Sequence, residues 1–481
     1  MAIKLKSFCL RGLDAVPVNV EVDSVQGMPN FSIGGMAGKS VQEAKDRVRS
    51  AISHGGFKFP MTRKVVNLSP AELIKHGTHF DLPIALGLIV ASEQVKFEAN
   101  DFLIAGELGL RGELQAVRGI LPALMMAKEI GMKKVLIPWG NLREASLIDG
   151  LQIFAVKSLR ECVEAVCGRT EASERIGFNF ASEILWDFKN VAGHKAAKRA
   201  MMVAAAGGHH LLMKGPPGSG KSLLANSFPS ILPRPDNSEL LEILKIYSVI
   251  GKNLESISRN RPFRSVHHSV TERRLIGGEF GVGEVTLAHN GVLFLDELPE
   301  FSRSVIENLR QPLEEKTIGR KNYPCNFQLL AAMNPCPCGF YGDSKKACVC
   351  PPYQVLRYRQ KISGPILDRI DIQIEVPRIP YDELSGSAET SAEMLKRVLV
   401  ARDIAIGRSG HINSEMSPAE IKKVEMDADA KAFLKKAADK FYLSGRAIHK
   451  IIKVARTVAD LEGESDIKLP QMAEGLQYRA G

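Results

Sequence analysis

The spacing of apolar and polar positions changes several times along the chain, and each change marks a part. "DAVPVNVEVDSV" alternates with a period of two and predicts a strand, while "SVQEAKDRVRSAISHGG" repeats at helical spacing and stops at glycine. "RKVVNLSP" reads as a short strand, "FDLPIALGLIVASEQ" as a helix and "FLIAGELGLRGEL" as a hairpin. A helix at "LPALMMAKEIGM" and a strand at "KKVLIP" follow, so residues 1–168 form an α/β unit. The periodicity lapses in "RTEASERIGFNFASE", which predicts a linker over 169–185. A second α/β region runs from Trp186 to Ile379. Residues 380–481 are helical, broken at "GRSGHINSEMSPAE", and end in the amphipathic, basic stretch "SGRAIHKIIKVARTVADLE".

Length and composition narrow the class. A chain of 481 residues suggests roughly three domains. An apolar share of 45% with 25% charged residues is that of a water-soluble globular protein. No apolar run is long enough to cross a bilayer, and the first residues alternate too much for a secretory signal. The cytoplasm is the expected compartment, and its eight cysteines are expected as thiols or metal ligands. A net charge of +10 permits a polyanionic partner without requiring one.

The strongest local signal is "HHLLMKGPPGSGKSLLANSF", a strand, a glycine-rich turn and a helix in that order. Gly215, Pro216, Pro217, Gly218, Ser219 and Gly220 form a loop whose backbone N–H groups can cradle phosphates, with the helix dipole adding to the attraction. Lys221 then reaches the β and γ phosphates of ATP, and Ser222 ligates Mg²⁺. "GVLFLDELPE" is an apolar strand ending in two acids. Asp296 suits the Mg²⁺ shell and Glu297 the polarisation of an attacking water. "NFQLLAAMNPCPCG" ends a further strand at Asn334, whose amide either orients that water or caps a helix. Arg369, in "SGPILDRIDIQIEV", is either a finger reaching a neighbouring subunit's phosphate or a surface partner of Asp368 or Asp371.

These pieces, in this order, resemble the AAA+ ATPases, and most closely the Mg-chelatase-like branch and its ComM/YifB family. The resemblance is carried by "GPPGSGKS", "GEVTLAHNGVLFLDELPEF", "LRQPLEE", "AAMNPCPCG", "SGPILDRIDI" and "LSGRAIHKIIKVARTVADL". It implies a hexameric ring with ATP sites between subunits, and an ATP-driven DNA motor that promotes branch migration in natural transformation and recombination. It further implies that Asn334 is the first sensor, Arg369 the finger, and Arg446 the second sensor in a helical lid. Two insertions characteristic of the branch are matched by "RRLIGGEFGVGEVTLAHNG" and "EEKTIGRKNYPCNFQLL", both expected to face the ring's pore. At the tip of the second, Arg320 and Lys321 suit either contact with DNA phosphates or plain solvation.

Residues 1–168 resemble the Lon peptidase domain, through "FLIAGELGLRGELQAVRGILPALMMAKEIGMKKVLIP". Lon-type chemistry needs a serine activated by a lysine. Phe80 and Asp81 stand where the serine falls, and Leu121 where the lysine falls, so this is a Lon-like (S5-type) domain without peptidase activity. A scaffold for nucleic acid or assembly is the expectation that remains. Four cysteines in "NPCPCGFYGDSKKACVCPP", namely Cys336, Cys338, Cys348 and Cys350, suit a tetrahedral Zn²⁺, although each C-x-C pair is tighter than the usual spacing. Two rival functions share the same core: a protein-remodelling or magnesium-chelatase-like motor, and a nucleotide-dependent binding module. The integrin-like partner domain that the chelatase rival would want is not seen after the lid.

Overall fold

The computed structural model describes the chain apart from residues 1, 98–100, 178–179, 182–184, 253, 255–256, 279–280, 320–321, 344, 380–388 and 480–481. It divides into two compact units, one of Met1–Ala181 with Leu244–Ile257, the other of Ser182–Ile243 with Ser258–Gly481.

The first unit is built on a seven-stranded mixed sheet. Its strands are β1 (Ile3–Arg11), β2 (Asp14–Val25), β3 (Asn30–Gly34), β4 (Arg63–Ser69), β5 (Phe102–Ile104), β6 (Lys134–Pro138) and β7 (Gln152–Val156), ordered β3-β4-β2-β1-β5-β6-β7. β1 and β2 form a long antiparallel hairpin from Ile3↔Val22 to Arg11↔Asp14. It closes through Gly12, whose φ of 69° suits a residue without a side chain. In the helix Asp81–Ala91, the stretch Leu82–Ile89 is apolar on all sides and buried throughout, as an enclosed helix must be. Gly87 lets it approach β2, because a Cβ there would stand 2.5 Å from Val22 Cγ2. The stretch predicted as one hairpin, "FLIAGELGLRGEL", is in fact split. Its first three residues are β5 in the main sheet, and only Glu107–Leu108 and Leu114–Gln115 pair as a hairpin. The non-local pairing of β5 with β1 and β6 overrides the local turn signal. Residues of the expected linker bond along the same unit: Ser173 N donates to Ile153 O at 2.7 Å, and Arg175 reaches Asp149 at 3.1 Å.

At the position expected of a Lon-type nucleophile, Asp81 is buried and takes two hydrogen bonds from Arg47, at 2.7 and 3.0 Å. Burial raises its carboxyl to about 6 against the pull of Arg47. Leu121 is buried in the helix Ile120–Glu129. Neither position offers a serine hydroxyl or an amine.

The second unit holds a five-stranded, all-parallel sheet of β8 (Leu211–Lys214), β9 (Phe263–Val266), β10 (Val292–Leu295), β11 (Gln328–Met333) and β12 (Ile372–Glu375). Its order is β9-β10-β11-β8-β12, so the first strand in sequence lies between β11 and β12 and the order reverses there. Ligands of open parallel sheets bind at such a reversal, outside the carboxyl ends of the strands. β8, β10 and β11 are short apolar runs buried on both faces, as a covered parallel sheet requires. The C-terminal region is helical, with Ser391–Ser409, Ala428–Phe441, Gly445–Glu462 and Leu469–Gln477 as its main helices. Several start at strong caps: Thr390 and Glu393 form a capping box, and Ser444 accepts from Ala447 N. Among the described residues, no helix is long and apolar enough to cross a membrane.

Candidate nucleotide site

β8 runs into the loop 215–220, and Lys221 opens the helix Lys221–Ser227. The tight path of the loop depends on its glycines. Gly218 and Gly220 have φ of 74° and 84°, and a Cβ on Gly215 would fall 2.1 Å from Val376 O. Lys221 Nζ donates to Gly215 O at 2.8 Å, Pro216 O at 2.9 Å and Asn334 Oδ1 at 3.2 Å. Burial pulls its ammonium below the ordinary lysine value, while Asp296 and Glu297 pull it back.

The parallel registers explain why residues more than a hundred positions apart meet here. Lys214 pairs with Met333 and Leu295 with Ala331, so Gly215, Asn334 and Asp296 emerge side by side. Ser222 Oγ donates to Asp296 Oδ2 at 2.8 Å, the pairing expected of two groups that share one magnesium shell. Oxygen donors of this kind fit Mg²⁺. Glu297 has a left-handed backbone, φ 53°, and its carboxylate lies 3.3 Å from His268 Nδ1. No spacing pattern points to His268. It comes to Glu297 only because β9 and β10 are neighbours.

Arg369 and Arg446 are brought together elsewhere. Both guanidinium groups bond Glu314, Arg446 at 3.2 Å, and Arg369 also donates to Pro365 O at 2.7 Å. They line a cavity of about 800 Å³ with His210, Asp371 and Lys450. His210, Gln328 and Asp371 stand at the amino ends of β8, β11 and β12, so this cavity lies at the opposite end of the strands from the phosphate loop. Within it, burial drives Asp371 upward, but Lys450 at 2.7 Å, with His209 and His210, outweighs that and holds it well below the carboxylate range. Glu314 lies in "LRQPLEE", one of the stretches that carry the resemblance, but nothing in its spacing assigns it a partner; its partners are 55 and 132 positions away.

The first insertion is a small β-hairpin, Gly277–Gly278 against Gly281–Val282, between two short helices. Gly283 is required there, since a Cβ would fall 2.3 Å from Gly277 N. In the second, Thr317–Ile318 pairs with Tyr323–Pro324. Arg320 and Lys321 lie outside the described residues.

Comparison with known proteins agrees with this architecture. Residues 187–384 match the family described as magnesium chelatase, subunit ChlI. Residues 20–141 match subunit ChlI of Mg-chelatase, and 388–479 its C-terminal family. Competence protein ComM of Haemophilus influenzae is 41% identical over 98% of this chain and 96% of its own length. The uncharacterized protein YifB of Escherichia coli is 38% identical over 98% and 95%. Lon protease 2 of Bacillus subtilis is 26% identical over 31% of this chain and 29% of its own. The chain therefore belongs to the ComM/YifB family of Mg-chelatase-like AAA+ proteins.

Proposed function

We propose that this protein is a cytoplasmic, ATP-hydrolysing motor that assembles as a hexameric ring on DNA and drives branch migration in natural transformation and recombination. The observation that carries the ATPase step is the convergence of Lys221, Ser222, Asp296, Glu297 and Asn334 at the carboxyl ends of neighbouring parallel strands. Lys221 would neutralise the β and γ phosphates of ATP, and Ser222 with Asp296 would hold Mg²⁺. The bound ion would spread the phosphate charge that grows during transfer. Glu297, steadied by His268, polarises the attacking water, and the Asn334 amide fixes its direction. Arg369 and Arg446, at the other end of the strands, serve a neighbouring subunit's nucleotide, which is why the working form is a ring.

The choice of DNA is supported by the name of a relative that spans this chain, a competence protein, and by the net charge of +10. The chelatase family descriptions favour the rival reading, a chelatase-like or protein-remodelling motor. The two part on one measurement: ATP turnover with and without forked DNA across a salt series, in wild type and in Arg320→Ala/Lys321→Ala. The DNA reading expects stimulation in wild type. It expects weaker binding in the variant, with the salt slope shallower by roughly 1.5–2, because two fewer phosphates are neutralised. Turnover indifferent to DNA in wild type at every salt concentration would favour the rival.

A further inference from the structure

The four thiols downstream of Asn334 converge. Cys336 Sγ lies 3.4 Å from Cys338 Sγ and 3.6 Å from Cys348 Sγ, and Cys338 Sγ lies 3.6 Å from Cys348 Sγ. With Cys350, all four sulfurs fall within 4.8 Å of one another. Disulfide sulfurs stand about 2.05 Å apart, so these are not bonded pairs. Zinc with Zn–S bonds of about 2.3 Å holds its thiolates about 3.8 Å apart in a regular tetrahedron, close to the spacings here.

Backbone amides point at the same sulfurs. Tyr341 N donates to Cys336 Sγ at 3.3 Å, Cys338 N to Cys350 Sγ at 3.4 Å, and Cys350 N to Cys348 Sγ at 3.4 Å. Such donors stabilise and orient metal-bound thiolates, and they explain how two tight C-x-C pairs can still form one site.

The cluster is also tied to the nucleotide site. Only Pro335 separates Cys336 from Asn334. Gly339, with φ 85°, lies flat on the phosphate loop, since a Cβ there would stand 2.5 Å from Pro217 Cδ.

We infer that Cys336, Cys338, Cys348 and Cys350 bind one zinc ion, which makes the described residues between Pro335 and Pro351 a rigid strut that positions Asn334. Four sulfur ligands leave no open coordination position, so the ion is structural. For its effect on turnover this inference rests on the ATPase reading above; for the metal itself it does not. Lys221 and Ser222 are held by β8 and its helix, so loss of zinc should spare nucleotide binding. It should lower turnover on the order of a hundredfold, the effect of a misplacement of about 1 Å at a reacting centre.

The test uses the full chain purified without chelators. Wild type should carry about one zinc per chain, and cobalt(II) in its place should give thiolate charge-transfer absorption. Cys350→Ser should lose the metal and the turnover while binding a fluorescent ATP analogue as wild type does. Cys350→His, which restores a ligand, should recover both. If Cys350→Ser does not fold, wild type stripped by a mercurial and refilled with zinc gives the same comparison. Metal-free wild type without a cobalt–thiolate signal overturns the site, and a zinc-free chain with wild-type turnover overturns the strut. A zinc-loaded wild type that hydrolyses no ATP overturns the ATPase reading and leaves the metal site supported.

Discussion

His79 is the only histidine next to Phe80 and Asp81, where a Lon-type domain keeps its nucleophile, and the structure makes it a packing residue. Its ring stacks on Phe8 with centroids 4.2 Å apart, and Nε2 donates to Phe8 O at 2.8 Å. Burial lowers the imidazole from 6.5 to about 4, although the Phe8 carbonyl pulls the other way. Between pH 6.5 and 4 the unfolded chain therefore takes up a proton that the folded chain refuses. Stability from this group is complete above pH 6.5 and falls away as the pH drops toward 4. The loss is about 3 kcal/mol, from a shift of about 2.5 units at 1.36 kcal/mol each. Asp81, raised to about 6 by burial, works in the opposite sense as the pH falls from 6 to 3.8, so the wild-type profile alone mixes the two. The difference between wild type and His79→Phe isolates the imidazole. At pH 7 the variant should be less stable by about 1–3 kcal/mol, because Phe8 O loses its buried donor. By pH 4 that deficit should vanish or reverse. Urea unfolding in a Trp186→Phe background reads this directly, since Trp139 then reports the first unit alone. A difference that stays constant from pH 7 to pH 4 would refute the enclosed, neutral histidine and reopen this pocket as a chemical site.

The separation of phosphate charge from water activation predicts that Lys221→Ala weakens ATP binding, whereas Glu297→Gln binds ATP normally and stops turnover, as equilibrium binding and phosphate release would report. Because Arg369 and Arg446 sit on Glu314 at the far end of the strands, Arg369→Ala and Arg446→Ala should each be inactive alone. Each should regain part of the turnover when mixed with Lys221→Ala subunits, and should not when mixed with each other. Full inactivity of every mixture, with assembly intact, would remove the trans role.

Much of the phosphate loop was legible because its chemistry is local. A strand, a glycine turn and a lysine at fixed spacing are contiguous in "LLMKGPPGSGKS". Asp296 and Asn334 could be read as ends of apolar strands, but their approach to Ser222 and Lys221 depends on the registers of β8, β10 and β11. The strand β1 is only half legible: in "IKLKSFCLR" the alternation holds through Lys6 and is lost in "FCL", and the long pairing with β2 decides it. That Leu244–Val249, the end of a helix, joins the first unit is not legible, because a helical pattern does not say which core its apolar face joins. The gathering of Arg369 and Arg446 on Glu314 was equally hidden. Spacing along a helix says nothing of a carboxylate 132 positions away.

The proposed function requires that ATP hydrolysis at Glu297 moves DNA strands. Its most direct test is branch migration of a synthetic four-way junction by the purified full chain, with ATP and Mg²⁺, beside Glu297→Gln under the same conditions. Wild type should convert the junction to duplex products in an ATP-dependent manner, and Glu297→Gln should bind the junction without converting it. A wild type that hydrolyses ATP yet leaves the junction intact, or a Glu297→Gln variant that converts it as fast as wild type, would contradict the proposed function.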